Sequence, residues 1–238
     1  MDDAEVLIRP LTSLADLRAV EELQRAVWGM PDRDVVPLHH LLAASSAGGL
    51  VLGALDRGGA LVGFCYGFVG SRSGRPFFYS HMAGVVAAWR GRGVGFRLKQ
   101  AQRAAALERG LDRMVWTYDP LLAANAAFNL RKLGARASRY YVNYYGEMAD
   151  ALNRGVDSDR LEVDWWLSGR ASRPDVPPEG SLRIAIPPDF DRLRRTDRNR
   201  AQAERLRTRE AFQRAFADGT EAVDFVDGAY ILVKKEHR

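Results

Sequence analysis

Apolar residues along the chain fall into short blocks, some spaced as strands and others as helices. Residues 6–11 read as a short strand. Ser13 then caps a helix to about Trp28, with Leu14, Leu17, Val20, Leu23 and Val27 at helical spacing. Pro37 opens a second helix, which carries His39 and His40 and stops at Gly48-Gly49. Residues 50–55 and 61–69 form two strands around the turn Asp56-Arg57-Gly58-Gly59, and residues 76–86 a third in series. From Val94 to Glu108 the stripe Val94, Leu98, Ala101, Ala105 predicts a helix stopped by Gly110.

A strand over 113–118 follows, then a helix over 122–133 ended by Gly134. An aromatic strand over 138–145 and another strand over 161–167 come next. Pro174, Pro177, Pro178 and Gly180 mark a linker. Beyond it lie a strand over 182–186, one long Arg-rich helix over about 190–217 and a hairpin turning at Asp227-Gly228. The order predicts an α/β chain: a core over 1–168, a Pro/Gly-rich linker over 169–180 and a C-terminal α/β extension over 181–238.

Composition narrows the class. With 47% apolar and 27% charged residues, the 238-residue chain is neither disordered nor fibrous. The lone Cys65 excludes an intrachain disulfide and a Cys-rich zinc site, and no metal is expected. The longest apolar runs, near 50–55 and 60–70, fall short of the ~20 residues of a membrane span. The start, MDDAEVLIRP, lacks the basic and apolar regions of a signal peptide, so the expected location is the cytoplasm, without a membrane partner.

The formal charge is +5, and all but four of the 35 cationic residues are arginine. Arginine suits bidentate grips on phosphate and carboxylate, but the total alone identifies no partner. Nine arginines lie on the predicted tail helix, interleaved with Asp191, Asp197, Glu204 and Glu210 and without an aromatic platform. That pattern predicts a solvated face or a subunit contact, not a nucleic-acid partner.

The sharpest chemical signal is Arg90-Gly91-Arg92-Gly93-Val94-Gly95, between an apolar strand and an amphipathic helix. Such a junction aims backbone N–H groups and the helix dipole at one point, where an anion is favoured. Glycine lets a phosphate approach the backbone, and Arg90, Arg92 and Arg97 add charge. The P-loop pattern is absent, and the dinucleotide fingerprint fails because Phe96 stands where its third glycine belongs. Arg90, Gly93 and Gly95 do fit [QR]-x-x-G-x-[GA].

With that hexapeptide in that context, the chain over roughly 5–168 resembles the GNAT acyltransferase superfamily. The resemblance implies a central mixed sheet flanked by helices and an acyl-coenzyme A co-substrate, acetyl-CoA or succinyl-CoA. It implies that amides near Arg92, Gly93, Val94 and Gly95 hold the pyrophosphate. It also implies that the strand end at Val85 and Val86 directs an N–H at the thioester carbonyl. The family's Asn and general-acid Tyr are replaced here by Ala123 and Leu130. Asn125 stands two residues on and can supply the missing contact to coenzyme A, with Asn129 facing roughly the same way.

Losing the tyrosine does not abolish the chemistry, since a thiolate of pKa near ~8.5 leaves without full protonation. The acid role stays unassigned, with Tyr118, Tyr140, Tyr141, Tyr144 and Tyr145 nearby in sequence. The base matters more, because freeing an amine of pKa ~10.4 at pH 7 costs about 4.6 kcal/mol. The strand over 76–87 contains no Asp or Glu, so His81 is its candidate, with His39 and His40 on the early helix as alternatives. Direct attack of the amine makes Cys65 dispensable. Asp119-Pro120 reads as a turn that shapes the floor of the site.

A longer string resembles one branch of the superfamily. It comprises VWTYDPL (115–121), Phe128-Asn129, KLGA (132–135), Asn143 to Gly146, Asp159-Arg160, Val163-Asp164-Trp165 and IPPDF (186–190). That branch is linked with N-acylation of amino acids, including succinyl transfer. The expected enzyme is therefore an N-acyltransferase acting on a small amine, an amino acid first, as a homodimer. A succinyl group would need a cation such as Arg160 for its distal carboxylate. Two alternatives stand beside this reading: acetylation of a protein or peptide N-terminus, and a non-catalytic regulatory module that binds coenzyme A.

Overall fold

The computed structural model describes residues 6–146, 156–168 and 179–235. Most of the expected linker, 169–178, lies outside them. The fold is a mixed α/β arrangement of sheet strands flanked by helices, and the chain forms two compact units, residues 1–115 and 116–238.

In the first unit the strands lie in the order β1 (Leu7–Pro10), β2 (Leu50–Leu55), β3 (Leu61–Arg72), β4 (Arg75–Val85) and β5 (Arg113–Tyr118, which begins here). Neighbours are antiparallel except β4 and β5, which run parallel at Phe78↔Met114 and Tyr79↔Val115. Helix α1 (Leu14–Trp28) starts where the sequence places it, at a reciprocal cap between Ser13 and Asp16. Asp16 also pairs with Arg9 at 2.7 Å, and that bond holds its pKa down at about 2. Gln24 exchanges two hydrogen bonds with Val36, fixing the approach to α2 (Leu38–Ser46). Leu17, Val20, Leu23, Leu38 and Leu41 from these helices bury their apolar faces with Val51, Phe64 and Tyr66 of the sheet. Helix α3 (Val94–Glu108) buries Leu98 and Ala106 completely.

One irregularity in this sheet matters for the site. Tyr66 pairs with Met82, but its neighbour Gly67 pairs with Ser80, leaving His81 as an extra residue in β4. This is a β-bulge. Ser80 meets Gln102 and Lys99 of α3, whereas Met82 packs into the cluster under α1 and α2. Two residues of like parity thus face opposite ways, and the imidazole of His81 joins the α1/α2 face.

In the second unit the order is β7 (Arg160–Trp166), β6 (Arg136–Tyr141), β9 (Thr220–Val226), β10 (Ala229–Lys234) and β8 (Leu182–Ala185), with antiparallel pairing along the row. Three expected elements differ here. The helix over 122–133 is one α-turn, α4 (Ala123–Ala126), running into a π-helical turn (Ala127–Lys132), where Leu133 N–H reaches Phe128 at 3.0 Å. Strand β6 ends at Tyr141, because Asn143 takes a left-handed φ of 44° and turns the chain.

The long tail helix is two helices, α5 (Phe190–Thr196) and α6 (Arg198–Ala217). Asp197 breaks it, with an extended backbone and a side chain that accepts from the N–H of Arg200 at 3.0 Å.

Candidate active site

The glycine-rich loop closes one end of β4. Gly91 and Gly93 have φ of +77° and +81°, and a Cβ on either would point into open space. Gly93 is also the N-cap of α3 and offers no side chain to the first-turn amides. Those N–H groups and the positive end of a 15-residue helix therefore face the loop's open side. Their donors suit a pyrophosphate. At Gly95 an added Cβ would lie 4.0 Å from the side chain of Val85, so helix and strand end pack closely.

The three arginines behave differently. Arg92 lies 5.1 Å above the Trp89 ring. Arg90 folds back to donate to the Val85 carbonyl at 3.0 Å. Arg97, expected beside the phosphate, donates to the Val6 carbonyl at 2.8 Å and ties α3 to the chain before β1.

The strand end corrects one expectation. Val86 donates its N–H to Val62 across the sheet at 3.0 Å, so it is not available as an oxyanion donor. Alternation in an antiparallel ladder then turns the N–H groups of Val85 and Ala83 away from β3.

His81 stands four residues before Val85, in a group of rings. Its centroid lies 5.8 Å from Tyr66, 6.0 Å from Phe68 and 6.2 Å from Tyr79. His81 is an exposed residue, yet its flanking rings partly desolvate it, and His40 adds repulsion. Both effects hold its pKa below the ordinary value, so the imidazole is neutral at pH 7. His40 hydrogen-bonds the Tyr66 hydroxyl through Nε2 at 2.9 Å. Tyr66 is fully buried, which raises its own pKa. The sequence reading missed Tyr66; the alternation Phe64, Tyr66, Phe68 along β3 was the signal. His39 is exposed on α2.

On the other face of the sheet lies a second unforeseen group. Lys99 donates to Ser80 at 2.7 Å, and Ser80 donates to Gln102 at 2.7 Å. Burial lowers the Lys99 pKa to about 7 and pushes the thiol of Cys65 up to about 12. A buried neutral thiol is no nucleophile.

In the second unit Asn125 is exposed on α4. Asn129 does not face the same way: it is buried and its carbonyl oxygen accepts from the Trp116 indole at 3.2 Å. An indole N–H enclosed by apolar neighbours needs such a partner. The tyrosines considered as acids are largely committed to structure. Tyr118 donates to Tyr230, which donates to the Pro120 carbonyl, and Tyr140 donates to Asp159 at 2.7 Å. Burial raises the pKa of all three. Tyr141 donates to Glu162 at 3.1 Å, and Tyr144 and Tyr145 are exposed.

The tail arginines are not all solvated. Arg205 is buried in a two-bond fork on Asp119 at 2.7 and 2.6 Å. Burial opposes both charges, but each outweighs it for the other, holding Asp119 down and Arg205 up. Arg209 grips Asp159 and Asp157, and Asp159 also accepts from the Asn143 N–H. Arg192, Arg198, Arg200 and Arg207 remain exposed. Arg160 is buried against Asp159 and lies 4.9 Å over the Tyr145 ring.

Residues 14–135, just over half the chain, match the acetyltransferase (GNAT) family profile. The chain belongs to the GNAT acetyltransferase family. No curated protein matches it. Solved structures share the fold. The ribosomal-protein-S18-alanine N-acetyltransferase of Escherichia coli aligns at 15% identity with a TM-score of 0.54, over 72% of this chain and 98% of its own. A GNAT-family acetyltransferase described as putative, from Desulfovibrio desulfuricans, gives 11% and 0.54, over 68% and 99%. Arabidopsis thaliana Naa50 with a bisubstrate analogue gives 18% and 0.53, over 68% and 98%. As a GNAT acetyltransferase, the protein is an acyl-CoA-dependent N-acyltransferase. Among the described residues no cluster of three His, Cys, Asp or Glu could hold a metal, and no helix is long and apolar enough to cross a membrane.

Proposed function

We propose that this GNAT acetyltransferase moves an acetyl or succinyl group from a coenzyme A thioester to a small amine, with amino acids as the first acceptors to test. The observation that carries this reading is the layout of β4, which bears the imidazole of His81 among its rings and an N–H at Val85 turned away from β3. It then runs into the uncapped amides of α3.

The thioester supplies the electrophilic carbonyl and a leaving group that departs as a thiolate. Amides from Gly93 to Gly95, with Arg92 beside them, hold the pyrophosphate. The N–H of Val85 meets the oxygen that gains charge as the amine attacks, a contact typically worth about 3 kcal/mol. His81 takes the proton from the acceptor's ammonium, directly or through one water, against the cost of about 4.6 kcal/mol at pH 7. The amine attacks without an acyl-enzyme, which leaves Cys65 with no part.

Free-thiol release from acetyl-CoA and succinyl-CoA against a panel of D- and L-amino acids tests this. Turnover with at least one pair is expected; none for any pair would remove the small-amine reading. The likeness to the S18-alanine N-acetyltransferase and to Naa50, solved with the bisubstrate analogue CoA-Ac-MVNAL, favours protein or peptide N-termini as the second reading. Short peptides belong in the same panel.

A further inference from the structure

Resting on that reading, we infer that the acceptor of this enzyme carries an aromatic ring and that Tyr66, Phe68, Tyr79, His81 and His40 form its seat. Five rings share one face of the first unit. Their neighbouring centroids are 5.5–6.2 Å apart, the spacing at which rings pack on one another. The set is graded in exposure. Tyr66 is fully buried at its base, Phe68 and Tyr79 are half-buried, and both imidazoles are exposed.

Phe68 and Tyr79 keep part of their rings accessible beside two exposed imidazoles, a surface on which another ring can pack. The bulge in β4 brings the candidate base onto this same patch. An acceptor placed for His81 therefore lies against these rings.

The charges nearby narrow the acceptor further. Strands β3 and β4 contain no Asp or Glu, and α2 carries no charged residue apart from its histidines. A polyamine or aminosugar would find no counter-charge on β3, β4 or α2, and the carboxylate of Glu21 on α1 is taken up by the Leu38 N–H. A flat aryl group keeps its ring against Phe68 and Tyr79 while its amine points to His81. Both an arylalkylamine and an aromatic amino acid offer that chemistry.

Acetyl-CoA binding by calorimetry is measured first; its absence would sink the acyltransferase reading and this seat with it. Thiol release is then compared for phenethylamine, L-phenylalanine, L-alanine and spermidine. At least one aryl acceptor should exceed L-alanine and spermidine by roughly tenfold in kcat/KM, the effect of about one well-packed ring. Which aryl acceptor is better separates the free arylalkylamine from the amino acid.

Phe68→Ala and Tyr79→Leu should each raise the aryl acceptor's KM roughly tenfold and leave that of acetyl-CoA unchanged. Acetyl-CoA binding with equal turnover across the four acceptors, preference for spermidine, or an unmoved aryl KM in both variants would overturn the seat alone; binding with no turnover for any of them would count against the small-amine reading and the seat together.

Discussion

The Tyr66 hydroxyl and Nε2 of His40 are hydrogen-bonded at 2.9 Å, which joins β3 to α2 beside the ring of His81. One imidazole in this cluster is thereby tied to a phenol, while the other presents itself beyond the Tyr66 ring. The two histidines should behave differently when removed.

His81→Gln should lower kcat by about 10²-fold or more, the usual scale for general-base loss, with the KM for acetyl-CoA unchanged. His40→Gln should cost less than about tenfold. Because partial desolvation by its flanking rings lowers the His81 pKa, the wild-type rate should fall only below the usual histidine value of about 6.5. In His81→Gln the rate should climb with pH instead, as the amine sheds its own proton. Steady-state profiles of both variants decide this, and equal losses would remove His81 from its role.

Gly93→Arg places a side chain at φ +81° in front of the α3 amides. The left-handed backbone costs an L-residue about 1–2 kcal/mol, so the fold should survive with a lower melting temperature. Coenzyme A binding should be lost in calorimetry. Undiminished binding would put the phosphate site elsewhere.

Arg205→Ala strands Asp119 in the interior without its counter-charge, a loss of about 3–5 kcal/mol. Adding Asp119→Leu to Arg205→Met should recover much of that stability, since two apolar side chains need no partner. Urea unfolding of Arg205→Met, Asp119→Leu and the double variant measures the coupling.

Lys99 yields a pH signature. Burial lowers its folded pKa to about 7, against about 10.4 in the unfolded chain. Between those values the unfolded state binds more protons, so this residue makes stability rise with pH across that window. Lys99→Met should raise the melting temperature at pH 7 by a few degrees and flatten the alkaline rise. An unchanged slope would mean that Lys99 stays charged when folded.

The elements that the sequence revealed were those with local signals. Ser13, Pro37 and Gly110 mark helix ends within a few residues, and the bounds of α3 and β5 follow directly. The glycine loop was legible because an unusual backbone demands an unusual residue. Asp197 escaped notice because an acidic residue among arginines looks like any solvated pair until its backbone is seen. Arg205 looked like its exposed neighbours because its partner Asp119 lies 86 positions away. Tyr66 and His40, 26 apart, met for the same reason only in three dimensions.

The bulge in β4 also separates what the strand holds up from what it carries. Ser80 and Met82 find adjacent partners in Gly67 and Tyr66, so His81 is surplus to the ladder on either side. Excising that one residue would let the strand close into regular pairing while taking the imidazole away. At this point the scaffold and the candidate chemistry are written on different residues, and either could change without rewriting the other.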